Sequence, residues 1–142
     1  MHREKSCGAV VFRREDGKIL YLLLKYFGDY FDFPKGNQET GETEIDTVKR
    51  EIAEETDITD LKIIEGFNEQ VKYFYQRENR IVHKEVSYYL AETETKEVRI
   101  SYEHKGHMWA DFDVAVKTMK FQNSRKIIEK ARNFISSMDK NN

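Results

Sequence analysis

The chain has 142 residues, 39% of them apolar and 35% charged, and 24 basic side chains against 26 acidic ones leave a formal net charge of −2. That length suits one domain over residues 1–142 with its own core, and the near-neutral charge argues against stable binding of nucleic acid, which needs a strongly basic surface. A single cysteine, Cys7, excludes a disulfide framework or a multi-cysteine zinc site, which points to the reducing cytoplasm, and the clean apolar run at residues 19–24 is far short of the ~20 needed to cross a bilayer.

No secretory leader opens at residues 1–5, and no stretch is rich in Ser, Gly and Pro or repetitive, so no linker and no obligate protein partner are expected. Residues 7–12 and 19–25 are apolar, aromatic and β-branched with Asp16-Gly17 between them, which predicts a hairpin. Residues 28–41 hold the only proline and three glycines and read as a loop. From Thr43 to Thr56 the apolar Ile45, Val48 and Ile52 recur at helical spacing, and Thr43 with Asp46 forms a capping-box pattern. Residues 61–75 and 81–90 then predict an antiparallel strand pair, followed by short strands at 98–100 and 107–110. After them come a helical turn or two at 114–119 and a last helix capped by Ser124. The stripe Ile127, Ile128, Ala131, Phe134, Ile135 and Met138 makes that helix a core element, and the alternation of strands and helices makes the chain α/β.

The segment 36–58 carries eight acidic residues against two basic ones, so the remainder of the chain is net positive. On a helix Glu51 and Glu55 fall about 40° apart, with Glu54 on the same flank, and Glu55 lies only about 20° from Val48 on the core-facing stripe. An exposed charged face is the plain alternative. It is weakened here because like charges four apart repel and one of the three is pressed inward. Arg50 neutralises part of the surplus. A hard divalent cation with oxygen ligands would satisfy the rest, and the Gly36–Gly41 stretch beside the helix N-terminus leaves backbone groups free for a ligand.

Gly36, Glu42, Arg50-Glu51-Ile52-Ala53-Glu54-Glu55 and Ile58, at these spacings over 23 residues, resemble the signature of the Nudix hydrolases, which cleave nucleoside diphosphates linked to another group. Asp57 departs from it, standing where that pattern has the glycine that closes the helix; a less ideal helix end is expected rather than a dead site. Flanking segments, among them Phe31-Asp32-Phe33-Pro34-Lys35-Gly36, Lys84-Glu85-Val86-Ser87-Tyr88-Tyr89 and Ser101-Tyr102-Glu103-His104, are similar to the asymmetric diadenosine tetraphosphate hydrolases of that family. The resemblance implies a Nudix-type α/β/α sandwich with a central mixed sheet, the signature helix on one face and the last helix on the other. It implies magnesium, or manganese, held by Glu51, Glu54, Glu55 and the Gly36 carbonyl, with Arg50 and Glu42 orienting the carboxylates and Glu103 as a further ligand or general base. Lys35 and Lys84 are candidate contacts for the phosphates of a small nucleotide. Tyr73, Tyr75 or Tyr88 is the candidate to stack a base, and His104 to orient a site residue. The signature handles the diphosphate and not the group attached, so RNA 5′ ends, nucleoside triphosphates and nucleotide sugars stay open as substrates, as does a nucleotide-binding sensor without turnover.

Overall fold

The computed structural model describes residues 2–141, and its centre is β1 (His2–Glu15), buried from residue 6 to residue 13. A strand covered on both faces needs an unbroken apolar run rather than alternation, and Cys7-Gly8-Ala9-Val10-Val11-Phe12 supplies one. The chain reverses at Asp16 and Gly17, with φ of 51° and 80°, into β2 (Lys18–Tyr26), which pairs antiparallel with β1. Positive φ at both central residues gives the turn the twist a tight hairpin needs, and Asp-Gly tolerates it. On its other edge β1 takes β7 (Arg80–Glu92) in parallel, from His2 opposite Val82 to Phe12 opposite Glu92, which makes the sheet mixed. The remaining pairs are antiparallel: β6 (Glu69–Arg77) on β7, β8 (His104–Ala110) on β2, and the short β3 (Tyr30–Asp32), β4 (Lys35–Asn37) and β5 (Lys62–Ile63) on β2, β1 and β7.

Alternation along β1 and β2 splits the core. Cys7, Ala9, Val11, Leu22 and Leu24 face α1 (Glu44–Thr56) through Val48 and Ile52. Val10, Phe12, Tyr21 and Leu23 face the other way, toward α2 (Phe112–Thr118) and α3 (Gln122–Lys140), where Ile127, Ile128, Ala131 and Ile135 form the predicted stripe. The sheet is thus sandwiched between helices as the resemblance implies. No helix among the described residues is long and apolar enough to cross a membrane.

Four local expectations differ. The supposed loop 28–41 contains β3 and β4, and β4 can lie against β1 because Gly8 opposes Lys35: a Cβ on Gly8 would stand 2.4 Å from the Pro34 carbonyl oxygen. The single strand expected over 61–75 is two, since Gly66 (φ 101°) turns the chain and sends Phe67 into the core. Residues 98–100 form no strand; Arg99 and Ser101 instead donate their N–H groups to the Thr56 and Glu55 carbonyls, so this segment closes the C-terminal end of α1. Finally, α3 begins at Gln122, and Ser124 lies inside it, with its hydroxyl turned to Asp32 Oδ1 at 2.8 Å.

Asp57 ends α1 in the left-handed region (φ 64°, ψ 18°), its N–H donating to the Ala53 carbonyl. The conformation suits glycine, and a carboxylate there also meets the negative end of the helix dipole. Asp57→Gly is therefore expected to stabilise the protein by about 1 kcal/mol, read as a higher urea midpoint at unchanged slope.

Candidate active site

The acidic helix is anchored before its carboxylates are placed. Thr43 and Asp46 exchange side-chain and backbone hydrogen bonds at 3.1 Å in the predicted capping box, and Tyr89 donates its hydroxyl to Glu44 at 2.8 Å. Glu42, in the loop before α1, accepts from the Glu39 N–H (2.9 Å), the Thr47 hydroxyl (2.9 Å) and the Arg50 guanidinium (2.6 and 3.0 Å). Those donors, Arg50 above all, hold its carboxyl down at about 2. Arg50 also donates to the Asn37 carbonyl at 3.0 Å and to Glu51 at 2.8 Å, and reaches Glu54 at 3.4 Å. One guanidinium thus ties the loop, β4 and the acidic flank together.

The three carboxylates sit at graded depth. Glu54 is exposed, the Glu51 side chain is 14% exposed and Glu55 is 3% exposed. Burial raises the Glu55 carboxyl well above the usual carboxylate range, the charge and hydrogen bond of Glu51 and the charge of Glu103 act in the same direction, and the Lys35 backbone N–H opposes them. Burial also raises Glu51, against Arg50. Glu55 Oε1 is buried without a hydrogen-bond partner, and Gly36 approaches so closely that a Cβ there would fall 2.0 Å from the Glu51 carboxyl carbon. Crowded all-oxygen groups with one lone pair unanswered fit a hard divalent cation. As they stand, no three acidic, imidazole or thiol side chains among the described residues converge as a finished cage, because Arg50 holds Glu51 and Glu54 turned toward itself. Glu103 is exposed on the turn before β8, at the end of the segment that closes α1.

Through the sheet edge lies a cleft of about 260 Å³ lined by Tyr30, Asp32, Lys35, Tyr73, Tyr88 and Phe121 among others. Tyr30 meets Phe121 edge-on with ring centres 5.1 Å apart, and Tyr88, buried, packs on Phe33 at 5.4 Å. Lys35, Tyr73 and Tyr88, three of the candidate substrate contacts, are therefore brought together in one cleft. Tyr75 is not in the cleft: its hydroxyl is held by Glu4 at 2.6 Å, beside the Tyr73 ring. Lys84 donates to Ser6 at 2.6 Å and to Asn37 at 3.2 Å, next to β4. His104 is buried edge-on to Tyr26 at 4.6 Å with Nδ1 unpartnered; burial lowers its pKa, against the pull of Glu103. Sequence reading missed Tyr30, Asp32 and Phe121, which sit in a presumed loop and just before a helix. The one signal for Tyr30 and Phe121 was aromatic content at chain reversals, and Asp32 had none of its own.

A NUDIX domain profile matches residues 2–131. The chain belongs to the Nudix family. It is 32% identical to the Sus scrofa protein named bis(5′-nucleosyl)-tetraphosphatase [asymmetrical], over 94% of this chain and 97% of that one. The Caenorhabditis elegans protein of the same name is 31% identical over 93% and 96%. Among solved structures, a C. elegans Ap4A hydrolase binary complex superposes with a TM-score of 0.83 at 31% identity, covering 94% of this chain and 98% of that one. This Nudix chain places its signature on α1 with Gly36 against Glu51, so the family's spacing is a packing constraint as well as a chemical one.

The raised Glu55 carboxyl has a thermodynamic consequence. Between the ordinary carboxylate range and its higher native value, the folded protein holds a proton that the unfolded chain has released, so metal-free stability falls as pH rises through that window. Glu55→Gln removes the ionisable group and should raise the melting temperature of chelator-treated protein, by roughly 3 °C or more at pH 8 and much less at pH 5, in thermal scans at both values.

Proposed function

We propose that the chain hydrolyses diadenosine tetraphosphate asymmetrically, releasing ATP and AMP, with magnesium as the working cation and manganese able to replace it. It is a hydrolase of the Nudix family, and the observation that carries the substrate is a base-sized aromatic cleft joined through Lys35 and Gly36 to the acidic flank of α1. Near-full-length similarity to proteins named for this activity supports the same reading.

When bound, the divalent cation supplies charge neutralisation on the phosphoryl oxygens and an acidified water. Glu51, Glu54 and Glu55, the Gly36 carbonyl and Glu103 are the groups to hold it, and the partnerless Glu55 oxygen is their strongest structural support. Arg50 and Glu42 act through the others: their charge-assisted pairs keep Glu51 beside Gly36 and draw Glu54 toward the same guanidinium. Glu103, exposed on the turn before β8, is the carboxylate to accept the proton of the attacking water. The water oxygen bonds to a terminal phosphorus, that phosphorus loses its bond to the bridging oxygen, and ATP leaves while AMP keeps the new oxygen. Lys35, lining the cleft, and Lys84, beside β4, are the cations for the remaining phosphates. Tyr73 offers a half-exposed face to a base, with Tyr88 as the cleft floor and Tyr75 as a prop pinned by Glu4. Buried His104 supports Tyr26, whose hydroxyl donates to the Phe33 carbonyl. The single buried thiol supports a cytoplasmic setting.

Incubation with diadenosine tetraphosphate and magnesium should yield ATP and AMP in equal amounts by chromatography; two ADP, or no turnover, overturns the assignment. Glu54→Gln, at an exposed helix position that folding does not need, should lower kcat by about a hundredfold or more at unchanged melting temperature.

A further inference from the structure

The substrate proposed above has two bases, and the aromatic cleft seats one. We infer that the second base stacks on Tyr102, on the turn that carries Glu103, with Phe27 on the adjoining turn; the inference rests on the dinucleotide reading and assigns the half of the substrate that reading leaves open.

Tyr102 is 90% exposed and makes no side-chain hydrogen bond among the described residues, and Phe27 is 63% exposed. Large exposed aromatics on a mobile loop would mean little. These are on turns tied from several sides. Ser101 donates its N–H to the Glu55 carbonyl at 3.1 Å, His104 donates to the Ser101 carbonyl at 3.2 Å, and Glu103 donates to the Ser101 hydroxyl at 3.3 Å. Lys105 bonds Asp29 at 2.5 Å, and Tyr26 pairs with both Tyr30 and His104, which locks the turn bearing Phe27 against the one bearing Tyr102. The result is a preorganised aromatic face one residue from the carboxylate proposed to take the proton. A rigid face loses little entropy on binding, and stacking on an aromatic side chain contributes about 1–3 kcal/mol for any base.

The topology places this face and the cleft on either side of the reacting groups. Lys35 lines the cleft, Gly36 next to it lies against the Glu51 carboxylate, and Glu55 one turn on carries the Ser101 turn on its carbonyl. A tetraphosphate running from the cleft past Lys35 and Gly36 to Glu103 therefore delivers its far nucleoside to Tyr102. Stacking engages the face of a base rather than its edge, so the subsite accepts any nucleobase.

The test compares diadenosine tetraphosphate with adenosine 5′-tetraphosphate, which has the same phosphates and one base. Tyr102→Ala should lower kcat/KM for the dinucleotide about tenfold, mostly through KM, and change the mononucleotide less than twofold, while Tyr102→Phe retains both. Equal loss on the two substrates, or no loss on either, overturns the subsite while wild-type turnover of the dinucleotide leaves the functional reading standing. Wild-type protein inert toward both compounds overturns that reading and the subsite with it.

Discussion

Mutual repulsion of the carboxylates on α1 is the constraint around which the rest of the site is arranged. Glu51 and Glu55 share one turn of helix, one of them inside the protein, and burial raises both above their ordinary range. A helix with such a flank would gain more by turning it to water. It cannot, because Val48 and Ile52 on the adjoining stripe are fully buried against β1 and β2. Among the described residues Arg50 is the only cation bonded to the flank, and it divides itself among Glu42, Glu51, Glu54 and the Asn37 carbonyl. What remains unanswered is the innermost oxygen of Glu55, at the place where a divalent charge would act with least screening from water.

The same constraint shapes the segment from Tyr30 to Asn37. Gly36 must press on Glu51 without a side chain, and Gly8 must let Pro34 and Lys35 lie on β1. Together they force a short strand pair where a flexible loop would otherwise run. Because that path is narrow, neighbouring residues serve both sides, Lys35 in the aromatic cleft and Gly36 against the Glu51 carboxylate. The proposed base and phosphate sites are thus adjacent along one stretch of backbone. Asp32 reinforces it by accepting from the Phe33 N–H at 2.9 Å and from Ser124 on α3, which fixes the loop to the opposite layer.

How much of this was legible in the sequence varied with the range of the interaction. The capping box of Thr43 and Asp46 and the inward pull on Glu55 follow from spacing along one helix, the left-handed Asp57 follows from the family resemblance, and the structure bears all three out. Tyr75 and Ser124 show the limit. Both carry the right chemistry at a plausible position, yet Glu4 on β1 takes the first and Asp32 takes the second, partners that lie 71 and 92 residues away.

The sequence by itself determined the acidic flank, the apolar run that becomes β1 and the family, since these depend on residue type and on spacing within short stretches. Only the tertiary structure decided which aromatics share a cleft, which carboxylate is left with an unpaired oxygen, and that Tyr102 is held as an exposed face beside Glu103. Those outcomes depend on the parallel register of β1 with β7, on the crossing of the Tyr30–Asn37 segment between layers, and on residues 99–101 joining α1 rather than the sheet. Each is a long-range choice set by the packing of the whole sheet, and no local periodicity encodes it.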